Sequence, residues 1–215
     1  MLVNREIPDQ YLDMLAALGV PRERVLFHDV SGVSVFPRLY APSWPMLHRD
    51  HPMKGCYDIY RRAWRGAPAA AERPLLYLAR DEVANRRLLN EAEVRSAFER
   101  RGFTVVHPER LGFDQTLELF AQPSCVAGPY GSAFRNIVFS NPAPLCLAIM
   151  PPYGEDYMPG VALWIGMLGG RLAYVRGAGV GEGHPNLAPW TAPLDDVGRA
   201  LDRVLAFIAA NPPAS

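Results

Sequence analysis

The feature that most constrains the fold is a regular alternation of apolar runs and amphipathic segments between residues 75 and 150. Four short runs predict strands, namely LLYLA (75–79), FTVV (103–106), SCVAG (124–128) and LCLAIM (145–150). The segments between them have helical spacing, as in Phe113, Leu117 and Phe120. Almost wholly apolar strands that alternate with helices are typical of a parallel sheet covered on both faces. The alternation therefore predicts an α/β domain.

A composition change marks the start of this domain. The stretch RGAPAAAERP (65–74) places small residues between two prolines, which is typical of a linker. We therefore expect a partial first unit over 1–70 and, over 71–215, a Rossmann-like domain with helices on both faces of its sheet and a C-terminal helix that starts near Pro193. The first unit has predicted strands in MLVN, RVLFHDV and GVSVFPRLY, a helix that Gly19 ends, and a second helix ending near Trp64.

Composition excludes several classes of protein. The 215 residues carry 22 Lys+Arg and 22 Asp+Glu, so no overall field draws the chain to nucleic acid or to an anionic membrane. No run approaches the roughly 18 apolar residues of a membrane helix, and the N-terminus lacks the regions of a signal peptide. Three cysteines in apolar settings make no disulfide scaffold. We expect a soluble, cytoplasmic protein with no nucleic-acid partner and no membrane span.

The stretch SCVAGPYGSAFRNIVFS contains a turn that fits an anion. A predicted strand gives way to Gly128 and Gly131, and a predicted helix follows. Ligands of parallel sheets bind outside the carboxyl ends of the strands, and the first N–H groups of a helix favour an anion. Ser132 adds a hydroxyl donor. The same glycines would also serve simply to close the corner, and the spacing matches no established nucleotide or hydrolase motif.

Arginines follow the first strand of the domain, in YLARDEVANRRLLNE. Arg80 leaves this strand at the same edge as the glycine turn, and Arg86 and Arg87 precede a helix expected to be capped by Asn90. Guanidinium groups at such an edge can fork onto a diphosphate. The alternative is that the loop arginines are solvated charges and that Asn90 is only a helix cap.

Two other clusters carry weaker signals. The first has four side chains able to bind zinc, which are His48, Asp50, His51 and Cys56. Their spacing matches no closed tetrahedral pattern, so no metal is expected. The second is the possible acid/base pair Glu182 and His184, whose glycine-rich surroundings indicate solvent exposure.

The order of these elements resembles glycosyltransferase family 61. The family pattern has an arginine after a strand, R-x-x-x-N-E, a Q…lf helix and G-x-H-G-[AS]-x-x-x-N. The matching positions are Arg80, Arg86, Asn90, Glu91, Gly102, Gln115, Leu119, Phe120, Gly128, Gly131, Ser132 and Asn136. The family's histidine between the glycines is Tyr130 here, which can donate a hydrogen bond but carries no charge. Family members usually have a further N-terminal lobe, so we expect this chain to begin partway through it.

The resemblance implies a two-lobed GT-B fold whose C-terminal, donor-binding lobe corresponds to the Rossmann-like domain. It implies sugar transfer from a nucleotide-sugar donor to a glycan or other hydroxyl acceptor in polysaccharide biosynthesis, inverting and without metal or cofactor. The implied donor or phosphate contacts are Arg80, Arg86, Asn90, Glu91, Gln115, Gly128, Tyr130, Gly131, Ser132 and Asn136. A homodimer, or a partner protein, would supply the missing lobe.

Three points stay open at this level. The catalytic base is unassigned, because four loop carboxylates have equal standing, namely Asp81, Glu155, Asp156 and Glu182. A non-catalytic binding or scaffold relative is a second hypothesis, favoured by Tyr130 and by the short chain. A Rossmann-like binder of another phosphorylated ligand is a third.

Overall fold

The N-terminal segment forms a small parallel β-α-β unit. The structure, a computed structural model, describes residues 2–40, 58–59, 73–80, 87–152, 154, 158–181 and 188–212. The unit consists of β1 (Leu2–Asn4), α1 (Asp9–Ala17) and β2 (Leu26–His28), and β1 pairs with β2 in parallel. Leu12 and Leu15 of α1 pack with Val25 in a separate small core. The predicted first strand and helix are thus confirmed.

The strand predicted in GVSVFPRLY is wrong. Residues 33–40 form no strand, and Val33 and Val35 are 94% and 88% exposed. Alternating apolar residues make a strand only where a neighbour pairs with the backbone, and within the described residues β2 pairs with β1 alone. Of the helix predicted to end near Trp64, the structure describes residues 58–59, which are helical, and the rest of it lies outside the described residues, as does most of the predicted linker.

The predicted parallel sheet is present. Its strands are β3 (Leu75–Leu78), β4 (Thr104–Val106), β5 (Cys125–Pro129), β6 (Leu145–Met150) and β7 (Arg171–Arg176). Every neighbouring pair runs parallel, in the spatial order β4-β3-β5-β6-β7. Four of these strands were predicted. Strand β7 was not predicted, because this edge strand mixes charged and apolar residues instead of forming one apolar run.

Helices cover both faces of the sheet, as predicted. They are α2 (Glu91–Glu99), α3 (Phe113–Phe120), a 3₁₀ helix (Ser132–Phe139), α4 (Met158–Met167) and α5 (Leu194–Ala210). One core, which includes α2 and α5, takes one set of alternate strand residues, and a second core, which includes α3, the 3₁₀ helix and α4, takes the other set. This α/β arrangement is compatible with a Rossmann-like fold. None of the helices in the described ranges is long and apolar enough to cross a lipid bilayer.

The strand order creates a switch point between β3 and β5. The chain passes from β3 to β4 on one side, and then returns to β5 on the other side of β3. The two connecting helices, α2 and α3, therefore lie on opposite faces of the sheet. In open parallel sheets a crevice opens at the carboxyl ends of the strands where the order reverses, and ligands bind there. The fold thus singles out the ends of β3 and β5.

A C-terminal segment attaches to the chain just before α2. Strands β8 (Ala178–Gly179) and β9 (Trp190–Thr191) form an antiparallel pair. The N–H of Trp190 donates to the Arg87 carbonyl at 3.1 Å, and the N–H of Leu89 donates to the Trp190 carbonyl at 2.8 Å. The segment after β7 is therefore joined by main-chain bonds to the chain that leads into α2.

Candidate functional site at the switch point

Arg80 and the glycine turn meet at the switch point. Arg80 lies two residues beyond the end of β3, and Gly131 follows β5, the strand that pairs with β3. A Cβ atom built on Gly131 would lie 3.3 Å from Cζ of Arg80 and would collide with its Nη1. The Arg80 guanidinium therefore rests directly on the glycine turn. The two features that the sequence analysis expected at one edge of the sheet are in contact.

Gly128 lets the backbones of β3 and β5 approach each other. Its φ angle is +134°, which side-chain-bearing residues rarely adopt, and a Cβ there would lie only 2.5 Å from the carbonyl oxygen of Leu78. Both the backbone conformation and the space exclude a side chain. This position holds glycine because the end of β3 passes against it.

Gly131 has a different reason to lack a side chain. Its φ angle of −167° is extended backbone that any residue adopts, so conformation alone does not require glycine. Only the close approach of Arg80 requires it. The sequence left two roles open for these glycines, close approach of a ligand or closure of a corner. In the structure Gly128 makes room for the Leu78 backbone and Gly131 makes room for the Arg80 side chain, and the role toward a ligand stays a prediction.

Glu91 joins the start of α2 to the Arg80 backbone. Its side chain is only 4% exposed, and Oε1 accepts a hydrogen bond from the Arg80 N–H at 2.6 Å. Glu91 is also the first residue of α2, where the helix N-terminus favours a negative charge. A buried carboxylate is thus held where α2 meets the end of β3.

The side-chain amide of Asn90 makes two hydrogen bonds to the backbone of one residue that is distant in the sequence. Its Nδ2 donates to the Ala192 carbonyl at 2.8 Å, and its Oδ1 accepts from the Ala192 N–H at 3.0 Å. Asn90 is the N-cap residue of α2, as expected, but its side chain makes no capping bond to the helix. The amide is turned outward to the C-terminal segment because that segment offers both a donor and an acceptor. This contact was not predicted, since nothing near Asn90 in the sequence indicates Ala192.

The glycine turn leads into the 3₁₀ helix (Ser132–Phe139), where an α-helix was expected. Buried Phe134 and Ile137 are three positions apart, which matches the three residues per turn of a 3₁₀ helix. The half-buried ring of Tyr130 packs against Phe134 with ring centroids 5.6 Å apart. Ser132 is exposed at the first position of this helix, and Asn136 is half-buried within it.

The other candidates are placed elsewhere or are not described. Gln115 is exposed at the start of α3, where its Oε1 accepts from the Gly112 N–H at 2.9 Å. Its donor contact therefore stays a prediction. The candidates outside the described residues are Arg86, Asp81, Glu155, Asp156, Glu182 and His184, together with the zinc cluster His48, Asp50, His51 and Cys56.

The buried thiols are inert core residues, as predicted. Cys125 and Cys146 are completely buried on neighbouring strands of the sheet. Burial raises the pKa of the Cys146 thiol to about 12 and raises the pKa of Cys125 well above its ordinary value. Neither group is a thiolate nucleophile near neutral pH.

The fold and site together define a class of protein. The five-stranded all-parallel sheet, with an arginine and a glycine turn at its switch point, defines an α/β domain, and domains of this class bind ligands at the carboxyl ends of their strands. Comparison with protein-family models matches residues 10–147, more than half of the chain, to Glycosyltransferase 61. No curated protein matches the sequence. The chain therefore belongs to glycosyltransferase family 61, as its residue pattern indicated, and membership implies glycosyltransferase activity in general.

Proposed function

We propose that this protein transfers a sugar from a nucleotide-sugar donor and binds the donor diphosphate at the switch point between β3 and β5. The observation that carries the proposal is the contact of the Arg80 guanidinium with Gly131. This contact puts a permanently charged, five-donor group at the edge where parallel sheets bind ligands. Residues 10–147, which match the family, include both members of the contact.

The proposed chemistry explains why a cation is needed there. When the sugar leaves the donor, the nucleoside diphosphate takes up negative charge, and a preorganised donor stabilises that charge. Removal of one such donor costs roughly 2.7–4 kcal/mol of transition-state stabilisation in comparable sites. In the proposed inverting, metal-independent reaction, an acceptor hydroxyl of a glycan loses its proton to a base and attacks the anomeric carbon. The sheet domain would then be the donor lobe of a GT-B enzyme of polysaccharide biosynthesis.

A thermal-shift panel tests the ligand class. UDP, GDP, CDP, NAD and simple sugar phosphates are compared on the wild-type protein and on Arg80→Ala. We expect one nucleoside diphosphate to stabilise the wild type, by about 2.7 kcal/mol at 100 times its dissociation constant. Arg80→Ala should lose most of this shift. A shift with none of the nucleoside diphosphates, or an equal shift in both proteins, contradicts the proposal.

A second candidate is a non-catalytic relative that binds the donor or a glycan. Tyr130 favours it, since the family pattern has histidine at this position and the tyrosine ring is packed against Phe134. Turnover distinguishes the two. Release of nucleoside diphosphate from a panel of nucleotide sugars with glycan acceptors is expected of a transferase, whereas binding without release in both the wild type and Tyr130→His supports the second candidate.

A further inference from the structure

We propose that Glu91 is a positioning residue, which sets the place of Arg80 at the glycine turn and makes no contact with the donor itself. This inference rests on the proposed function of the switch point. It departs from the expectation, drawn from the family pattern, that Glu91 contacts the donor.

The hydrogen bonds at the end of β3 support this role. The N–H of Ala79, the residue after β3, donates to the carbonyl of Val106 at the end of β4, at 2.9 Å. The next N–H, that of Arg80, donates to Glu91 Oε1 at 2.6 Å. Beyond the end of the sheet, the Glu91 carboxylate therefore accepts the next backbone hydrogen bond. It fixes the backbone of Arg80, from which the arginine side chain extends.

The chemistry of a carboxylate argues against a direct contact between Glu91 and the donor. An ionised carboxylate only accepts hydrogen bonds, so it offers nothing to the acceptor oxygens of a diphosphate and repels their charge. One of its oxygens is already engaged, since Oε1 accepts the Arg80 N–H at 2.6 Å. The same carboxylate is thus unsuited to bind the donor and well suited to hold the Arg80 backbone.

The helix that carries Glu91 is itself anchored. The Asn90 amide makes two bonds to the Ala192 backbone, at 2.8 and 3.0 Å. The first turn of α2 is therefore tied to the C-terminal segment on one side and to Arg80 on the other. This arrangement gives the Arg80 backbone a fixed reference, and the guanidinium then extends from it to Gly131.

Two substitutions separate the effect of the length of the Glu91 side chain from the effect of its charge. Glu91→Gln keeps an acceptor at the same distance and removes the charge, whereas Glu91→Asp keeps the charge and shortens the side chain by one methylene. If Glu91 positions Arg80, Glu91→Gln should retain most of the UDP, GDP or CDP affinity measured by calorimetry. Glu91→Asp should lose roughly tenfold in affinity, since that factor corresponds to about 1.4 kcal/mol, which is within the net range of a typical hydrogen bond. The opposite order would overturn the proposal, because it would show that the charge itself acts.

A control variant tests whether a general loss of stability is enough to weaken nucleotide binding. The Ser140 hydroxyl is buried and donates to the Phe120 carbonyl at 2.6 Å, at the amino-terminal edge of the sheet. Ser140→Ala should lower the unfolding temperature and leave nucleotide affinity unchanged. If Ser140→Ala weakens binding as much as Glu91→Asp does, the effect of Glu91 is merely structural.

A ligand-free measurement keeps this inference separate from the proposed function. The amide proton of Arg80, bonded to a carboxylate, should exchange slowly and resonate downfield in the ¹H–¹⁵N spectrum. Protection should persist in Glu91→Gln and fall in Glu91→Asp. If the wild type binds no nucleotide while Arg80 behaves in this way, the proposed function fails and the positioning of Arg80 by Glu91 stands. Equal protection of Arg80 in all three proteins contradicts the positioning role.

Discussion

Gly128 and Gly131 stand three residues apart in one turn, but each excludes a side chain for a different physical reason. At Gly128 the backbone itself is in a conformation that favours glycine, and the Leu78 carbonyl leaves no room. We expect Gly128→Ala to destabilise the protein by about 1–3 kcal/mol or more, since rigid backbone must move. Urea denaturation of both proteins measures this. An unchanged midpoint would contradict the observed geometry.

Gly131 should behave differently, because its neighbour is the end of a flexible side chain. Alanine fits the extended backbone at this position, so the main consequence of Gly131→Ala is displacement of the Arg80 guanidinium. We expect a change in unfolding free energy below about 1 kcal/mol and a loss of nucleotide affinity of roughly tenfold. Calorimetry on a double-mutant cycle with Arg80→Ala checks the cause. In the Arg80→Ala background, Gly131→Ala should have no further effect on affinity.

At the scale of elements, the contact between α2 and the segment after β9 depends on one side chain. Asn90→Ala removes both hydrogen bonds to the Ala192 backbone and leaves two partly buried polar groups without that partner. We expect a loss of about 1–3 kcal/mol of stability and faster hydrogen exchange at the Ala192 amide. Asn90→Asp is the matched variant, because it retains the acceptor for the Ala192 N–H and loses the donor. The exchange rate of the Ala192 amide in Asn90→Asp should lie between the rates in the wild type and in Asn90→Ala.

Elements were predictable where their own residues report burial. Strands β3, β5 and β6 are almost wholly apolar, and α5 has a regular apolar stripe, so periodicity identifies them. Two predictions failed for the same reason: strand β7 was not predicted, and the strand predicted within 33–40 is absent. Both segments mix exposed and apolar residues, and whether such a segment is a strand depends on a neighbour to pair with, which no local pattern contains.

At the scale of the whole molecule, the two buried thiols should make the stability of the protein fall as the pH rises into the alkaline range. The unfolded thiols ionise near their ordinary pKa of 9.0, whereas burial raises the pKa of Cys146 to about 12 and that of Cys125 well above its ordinary value. Their contribution is therefore intact below about pH 9 and is lost as the pH rises from there towards about 12. The loss approaches roughly 1.4 kcal/mol per pH unit for each thiol.

Denaturation at several pH values between 8 and about 11 tests this dependence. Other groups also titrate there, so the comparison is with Cys146→Ala, which lacks one thiol. We expect the unfolding free energy of the variant to fall less steeply with pH than that of the wild type. Parallel curves would show that Cys146 does not contribute.

The sequence by itself determined the class of fold, the family and the sheet edge at which Arg80 and the glycine turn meet. Apolar periodicity reports which face of each element is buried, and the order of strands and helices implies a parallel sheet whose carboxyl ends share an edge. Only the tertiary structure decided the partners at that edge. Arg80 rests on Gly131, Glu91 accepts the Arg80 N–H from 11 positions away, and Asn90 bonds to Ala192 across 102 positions. Such partners are brought together by the packing of whole elements, which no local pattern of residues encodes.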